Sequence, residues 1–336
     1  MENLKKNLWN FKFSHIYVEK EASNYPITDR IISFFENSKI VKIDHYKDVF
    51  CRKNQNYVLQ KNSPKLILAV KKSNLVYEGS DMCDSFGNNN FYYTSVVMNC
   101  VYNCEYCYLQ GMYPSSNIVI FVNIEDTIRE VEEMLKHHPV YLCVSYDTDL
   151  MAIENITGFI HKWAEVSKKY NNFKMEIRTK SANFNLICDL IPDDNIILAW
   201  TLSPNEIIKE FEKNTPPLEK RLLSIREAID KGWKVRLCFD PILCVKNYET
   251  LYRQCVKVTF DFLEGREVFE VSLGVFRLSK EYLKTMKKLR RNSKILAYPF
   301  EDNEGSCTYS EKHIKKMIDS VKEELLKYIE IDKIYI

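Results

Sequence analysis

The stretch Asn99-Cys-Val-Tyr-Asn-Cys-Glu-Tyr-Cys-Tyr108 decides how the rest of the chain reads. Its three cysteines, Cys100, Cys104 and Cys107, stand in a C-x3-C-x2-C spacing directly after an apolar run at 91–98. Thiolates are soft ligands that suit zinc or iron–sulfur clusters. Structural zinc wants four protein ligands, and no fourth Cys or His lies nearby. A 4Fe-4S cluster held by only three cysteines leaves one iron open to a further ligand.

Downstream, apolar runs at 91–98, 140–146, 174–179, 196–202, 234–239 and 268–275 read as buried strands. Helical stretches lie between them. Ile124, Ile128, Val131 and Leu135 share one face of a helix closing at His137-His138-Pro139. Leu218, Leu222, Ile225 and Ile229 repeat that spacing between Pro216-Pro217 and Gly232, limits that suit a helix. Alternating strands and helices imply βαβ units with a parallel sheet. The fold class is therefore α/β: an incomplete (βα)6 TIM-like barrel with N- and C-terminal additions. The cysteine loop then sits past its first strand, where such barrels keep their chemistry.

Three regions are expected. Residues 1–88 form an N-terminal α/β unit, with a helix over 27–37 and a strand over 66–70. The segment Gly79–Asn90 is loop-like and marks its boundary. The partial barrel occupies 89–276. Residues 277–336 form a C-terminal basic segment, hairpin and helix, with eight Lys/Arg against the single acid Glu281 between Arg277 and Lys294. A hairpin follows (295–299 and 306–309 about a turn at 302–305), then a helix with Ile314, Ile318, Val321 and Leu325 on one face.

With 336 residues, 46% hydrophobic and 28% charged, the chain has the composition of a soluble globular protein. Its start, Met-Glu-Asn-Leu-Lys-Lys, lacks the apolar core of an export signal, and no run approaches a membrane span. Eleven cysteines without an export signal read as metal ligands and free thiols in a reducing cytoplasm. A net charge of +2 limits nucleic-acid binding to a local patch, and eight glycines offer no phosphate loop.

The cysteine spacing, with Tyr106 just before the third cysteine, resembles the radical S-adenosylmethionine (SAM) enzymes. Further matches run in order along nearly the whole chain: Ile16-Tyr17-Val18-Glu19, Tyr25-Pro26, Leu66 to Lys72 and Cys104 to Gln110. Thr148-Asp149 with Ile153-Glu154, Thr179-Lys180, Ile208-Lys209-x-Phe-Glu212 and Leu218-x-x-Arg221 complete the string. Together they resemble the spore photoproduct lyase family, radical-SAM enzymes that repair a UV-induced thymine dimer in spore DNA. That resemblance implies that Cys100, Cys104 and Cys107 hold the cluster and that Tyr106 lies beside SAM. It also implies that Lys180 pairs with the SAM carboxylate and that Thr148 and Thr201 contact the cofactor. The implied partners are lesion-bearing DNA, with residues 277–336 as its contact, and an electron donor such as flavodoxin or ferredoxin, with a cytoplasmic monomer and no membrane.

One position departs from the family. Where well-known members carry the cysteine that returns a hydrogen atom to the substrate radical, this chain has Tyr146. Cys83, in the loop before the first strand, is the favoured substitute, with Tyr106 and Tyr108 as a relay back to SAM. Strand alternation is expected to point Cys143 away from Tyr146. The six other cysteines (51, 188, 238, 244, 255 and 307) read as packing residues. The alternatives are a radical-SAM enzyme of this family with another substrate, and a non-catalytic iron–sulfur redox protein.

Overall fold

Six apolar segments become six parallel strands laid side by side in chain order: Phe91–Thr94, Val140–Cys143, Phe173–Thr179, Ile196–Thr201, Lys234–Ile242 and Glu270–Val275. They belong to a computed structural model that describes residues 12–80 and 82–336. The N-terminal start, Met-Glu-Asn-Leu-Lys-Lys, lies outside the described residues. Val76–Glu78 flanks the first strand antiparallel, and Ile334–Tyr335 flanks the sixth in parallel. Those two flanking strands do not pair, so the sheet stays open as an incomplete barrel.

The crossovers follow from local sequence. Helix Ile124–Leu135 buries Ile124, Thr127, Val131 and Leu135, and carries Glu125 and Asp126 at its positive N-terminus. Helix Leu218–Asp230 starts after Pro217 and ends before Gly232, whose φ of +92° few other residues adopt. Phe159–Lys169 sets Trp163 against Phe173, both fully buried; Phe173 alone contributes roughly 1.5–3 kcal/mol. Between the third and fourth strands there is only the short turn Phe184–Leu186, in place of an expected helical stretch.

Several expected limits move. The helix read over 27–37 spans Pro26–Ser33. The run 91–98 splits, and its second half, Val97–Met98, leaves for another sheet. That sheet orders Lys39–Ile43, His15–Glu19, Leu66–Ala69, Ile118–Phe121 and Val97–Met98, so hydrogen-bonded strands cross the divide expected at 88/89. The second strand ends at Cys143, not 146, and the chain turns through 144–148. The hairpin pairs Glu301–Asn303 with Ser306–Thr308, while 295–299 is a string of turns stabilised by side-chain burial at Ile295 and Leu296. Cys51 and Cys188 are exposed rather than packed. Among the described residues no helix is long and apolar enough to cross a membrane.

One polar tie makes a pH prediction. His161 sits between buried Glu154 (Nδ1 to Oε1, 2.7 Å) and Asp189 (Nε2 to Oδ1, 3.1 Å). The Glu154 contact raises its pKa from 6.5 to about 9, against burial and with help from Asp189. A raised folded-state pKa adds stability that is complete below about 6.5 and is lost as pH rises through about 9. Melting temperature should therefore fall across that window, and His161→Gln should flatten the fall.

Candidate active site

The chemistry-bearing residues gather at the C-terminal ends of the strands. The cysteine loop begins at Asn99, whose φ of +67° lies in the left-handed region that Asn tolerates. Its side chain donates to the carbonyls of Ser115 (2.8 Å) and Asn117 (2.7 Å) and accepts from the Tyr57 hydroxyl (2.9 Å). Lys61 Nζ donates to the Cys100 carbonyl (2.5 Å) and the Tyr102 carbonyl (2.9 Å). On the far side, Asn103–Cys104 pairs antiparallel with Glu212–Lys213. Arg290 donates to Asn103 Oδ1 (2.8 Å) and Gln110 Oε1 (2.6 Å). The loop is thus pinned by residues from three distant parts of the chain.

The three thiols are free and half-buried. Burial pushes all of them up, Cys100 to about 12, and each also feels the charge of nearby groups. Lys61, Lys180 and Arg290 counter this at Cys107, and Lys180 does so at Cys104. Thiolates here therefore need positive charge beside them, which these cations and a bound metal centre supply. Among the described residues no three His, Cys, Asp or Glu side chains are arranged to hold a single metal ion. A cluster places each thiolate on a different iron, so it does not need the sulfurs to converge on one point. This donor set fits a three-cysteine cluster.

Beside the thiols stand residues of matching chemistry. Lys180 follows the third strand; its backbone N–H donates to Asp149 Oδ2 (2.7 Å), whose other oxygen accepts from the Thr179 hydroxyl (2.7 Å). Its ammonium stands 5.7 Å from the Tyr106 ring centroid and, among the described residues, forms no ion pair. The buried Thr148 hydroxyl has no hydrogen-bond partner among the described residues. A free cation and an orphaned hydroxyl suit a ligand carrying a carboxylate and polar edges. Thr201 ends the fourth strand, where its carbonyl accepts from Arg221 (2.9 Å).

Behind Tyr106 is a network that the sequence leaves without a role. Tyr106 donates its hydroxyl to Glu212, which also accepts from Ser203 (2.9 Å) and Arg221 (2.5 Å). Burial would raise the Glu212 pKa, but Arg221, Lys180 and the Tyr106 hydroxyl outweigh it and hold the carboxyl at about 2. In the sequence Glu212 and Arg221 are only two matches in an ordered string; their buried pairing is what marks them as the floor of the site.

Cys83 is the sequence candidate that the fold seats most tellingly. Its Sγ lies 3.5 Å from the Tyr146 hydroxyl. The Tyr146 ring stacks on Tyr93 (centroids 4.0 Å apart) and approaches Tyr108 (5.9 Å). Tyr108 donates to Asp147 Oδ1 (2.9 Å) and the Tyr146 carbonyl (2.8 Å). Of the two tyrosines expected as a relay, Tyr106 turns its hydroxyl to Glu212 and Tyr108 turns its own to Asp147. The expected opposition of Cys143 and Tyr146 also fails. The strand ends at Cys143, so alternation does not reach Tyr146. Burial raises the Cys143 thiol, and Glu176 and Cys83 add to it.

The basic run changes character as well. Arg277, Lys280, Arg290 and Lys294 are engaged within the protein, with Asp240, Asp302, Gln110 and Glu210 among their partners. Lys284, Lys287, Lys288 and Arg291 remain exposed on or just after helix Lys280–Leu289. That helix seats against the cysteine-loop helix at Gly111, where a Cβ would come within 2.8 Å of the Tyr282 backbone.

Comparison with known proteins agrees with this geometry. A family profile described as spore photoproduct lyase matches residues 11–325. The sequence is 23% identical to spore photoproduct lyase of Clostridium acetobutylicum over 269 residues, 77% of each chain. It is 22% identical over 246 residues to that of Bacillus subtilis (71% of this chain, 70% of that one). A solved spore photoproduct lyase variant with bound AdoMet and dinucleoside spore photoproduct matches with a TM-score of 0.83 at 17% identity, covering 97% of this chain and 98% of the other.

Proposed function

The chain belongs to the spore photoproduct lyase family, and from that premise we propose that it is a radical-SAM DNA-repair lyase reverting the spore photoproduct to two thymines. The observation that carries the proposal is the three-thiol loop pinned beside the uncommitted Lys180 and the orphaned Thr148 hydroxyl. Cys100, Cys104 and Cys107 would hold a 4Fe-4S cluster; Lys180, Thr148, Thr201 and the Tyr106 ring would line the SAM site. When bound, cluster and SAM together supply a hydrogen-abstracting radical. The protein orients the reactants and excludes water.

The final step needs a hydrogen atom for the thymine radical left after the inter-base bond breaks. Cys83 is assigned that role: its S–H bond is weaker than the C–H bond formed, so transfer runs downhill. Tyr146, in contact with the sulfur, would restore the thiol, and Tyr108 with Asp147 would continue the return. The test is anaerobic incubation of the reconstituted, reduced protein with SAM and dinucleoside spore photoproduct. Two thymidines are expected. SAM cleavage with the dinucleoside left intact would point to another substrate of the same family, and no SAM cleavage to a redox protein.

Lesion-bearing DNA would meet the exposed Lys284, Lys287, Lys288 and Arg291. Neutralising these four should weaken DNA binding and lower its salt slope by about 0.9 for each phosphate that no longer meets a cation. Arg290→Gln should leave that slope unchanged, because its guanidinium is spent on the cysteine loop. We assign the reductant to the flavodoxin or ferredoxin class and the working form to a cytoplasmic monomer.

A further inference from the structure

A hydrogen donor carried on a strand is held by its sheet; one carried on a loop needs another fixture. The residues described from 82 to 90 have no regular structure around Cys83, yet both flanks of that thiol are gripped by arginines. On one side Arg277 Nε donates to the Met82 carbonyl at 2.7 Å. The same guanidinium reaches both oxygens of Asp240 (3.3 Å each) and the Val275 carbonyl (3.1 Å). On the other side Phe86 lies with its ring centroid 3.4 Å from the Arg236 guanidinium carbon. Phe86 holds a φ of +49°, and Asp84 accepts from its N–H (2.6 Å). That conformation is uncommon outside glycine and needs surrounding contacts to persist.

The barrel also leaves room for the first grip. A Cβ at Gly274 would stand 2.6 Å from Asp240 Oδ1 and 2.8 Å from an Arg277 nitrogen. Gly274 thus admits the pair where a side chain would displace it.

We propose that Arg277, held by Asp240 over Gly274, is a positioning residue that sets the Cys83 thiol against Tyr146 for hydrogen return. This rests on the reading that Cys83 is the donor. The guanidinium fork is what allows one side chain to bind a carboxylate and a carbonyl together. Without it the thiol is no longer fixed, and radicals formed at the substrate find their hydrogen late or elsewhere.

The experiment compares holoenzyme of the parent chain with Cys83→Ala, Arg277→Gln, Arg277→Lys and Gly274→Ala. Two quantities are read: SAM cleaved per thymine restored, and the rate of Cys83 alkylation followed by peptide mass spectrometry. Arg277→Gln should raise the first between about tenfold and about a hundredfold, the scale of an ångström misplacement. It should also speed alkylation of Cys83 and not of the buried Cys238 or Cys255. Gly274→Ala should move both readouts the same way, and Arg277→Lys should recover part of each. Parent-like coupling and alkylation in Arg277→Gln would overturn the role of Arg277. Parent-like coupling in Cys83→Ala would instead overturn the donor assignment beneath it. A general loss of folding would accelerate the buried Cys238 and Cys255 along with Cys83, and would also count against specific positioning.

Discussion

Cys83→Ala lowers thymine restored per lesion by about a hundredfold or more, equivalent to about 2.7 kcal/mol of barrel-mouth chemistry, while SAM cleavage continues. The reason is local. The position after the second strand is a tyrosine, and the thiol that reaches it comes from the loop, 3.5 Å away. Quantitation of both products in one reaction checks this. If Cys83→Ala repairs like the parent while Cys143→Ala fails, the donor is Cys143. If only Tyr146→Phe fails, the phenol itself is the donor.

The second large effect is on stability. Glu212→Ala should cost about 3–5 kcal/mol, since it strands the Arg221 charge. Both side chains of the pair are fully buried, and the same carboxylate takes the Tyr106 and Ser203 hydroxyls. The double variant Glu212→Met/Arg221→Leu should recover most of the loss, because removing both charges leaves no uncompensated ion. Urea unfolding of the three proteins measures it. A single-variant loss below about 1 kcal/mol would mean that water reaches the pair and that it is no rigid floor for the cysteine loop.

How much of this is legible in the sequence depends on the length scale of the signal. The helices over 124–135 and 218–230 are readable because their apolar spacing, prolines and glycine are local. The six barrel strands are readable as apolar runs, since strands buried on both faces have no polar alternation. Ile118–Phe121 escapes notice even though all four of its residues are buried. It pairs with Leu66–Ala69 from the N-terminal region, a long-range choice that no local pattern encodes. The three ligand cysteines stand out by spacing. Lys61 and Arg290 do not, because an isolated lysine or an arginine in a basic run looks like solvated surface until the fold shows its carbonyl or amide partners. Tyr106 and Tyr108 illustrate the same limit within three residues: their hydroxyls part company over the direction of a tight turn.

The account stands on three sulfurs leaving one iron free for SAM. The most direct test is iron and sulfide content of the anaerobically reconstituted chain, with the electron paramagnetic resonance spectrum of the reduced protein taken before and after SAM. About four irons and four sulfides per chain are expected, with a spectrum that changes on SAM addition and iron that is lost when Cys100, Cys104 or Cys107 is replaced by alanine. Zinc in place of iron, or a cluster whose spectrum ignores SAM, would contradict it.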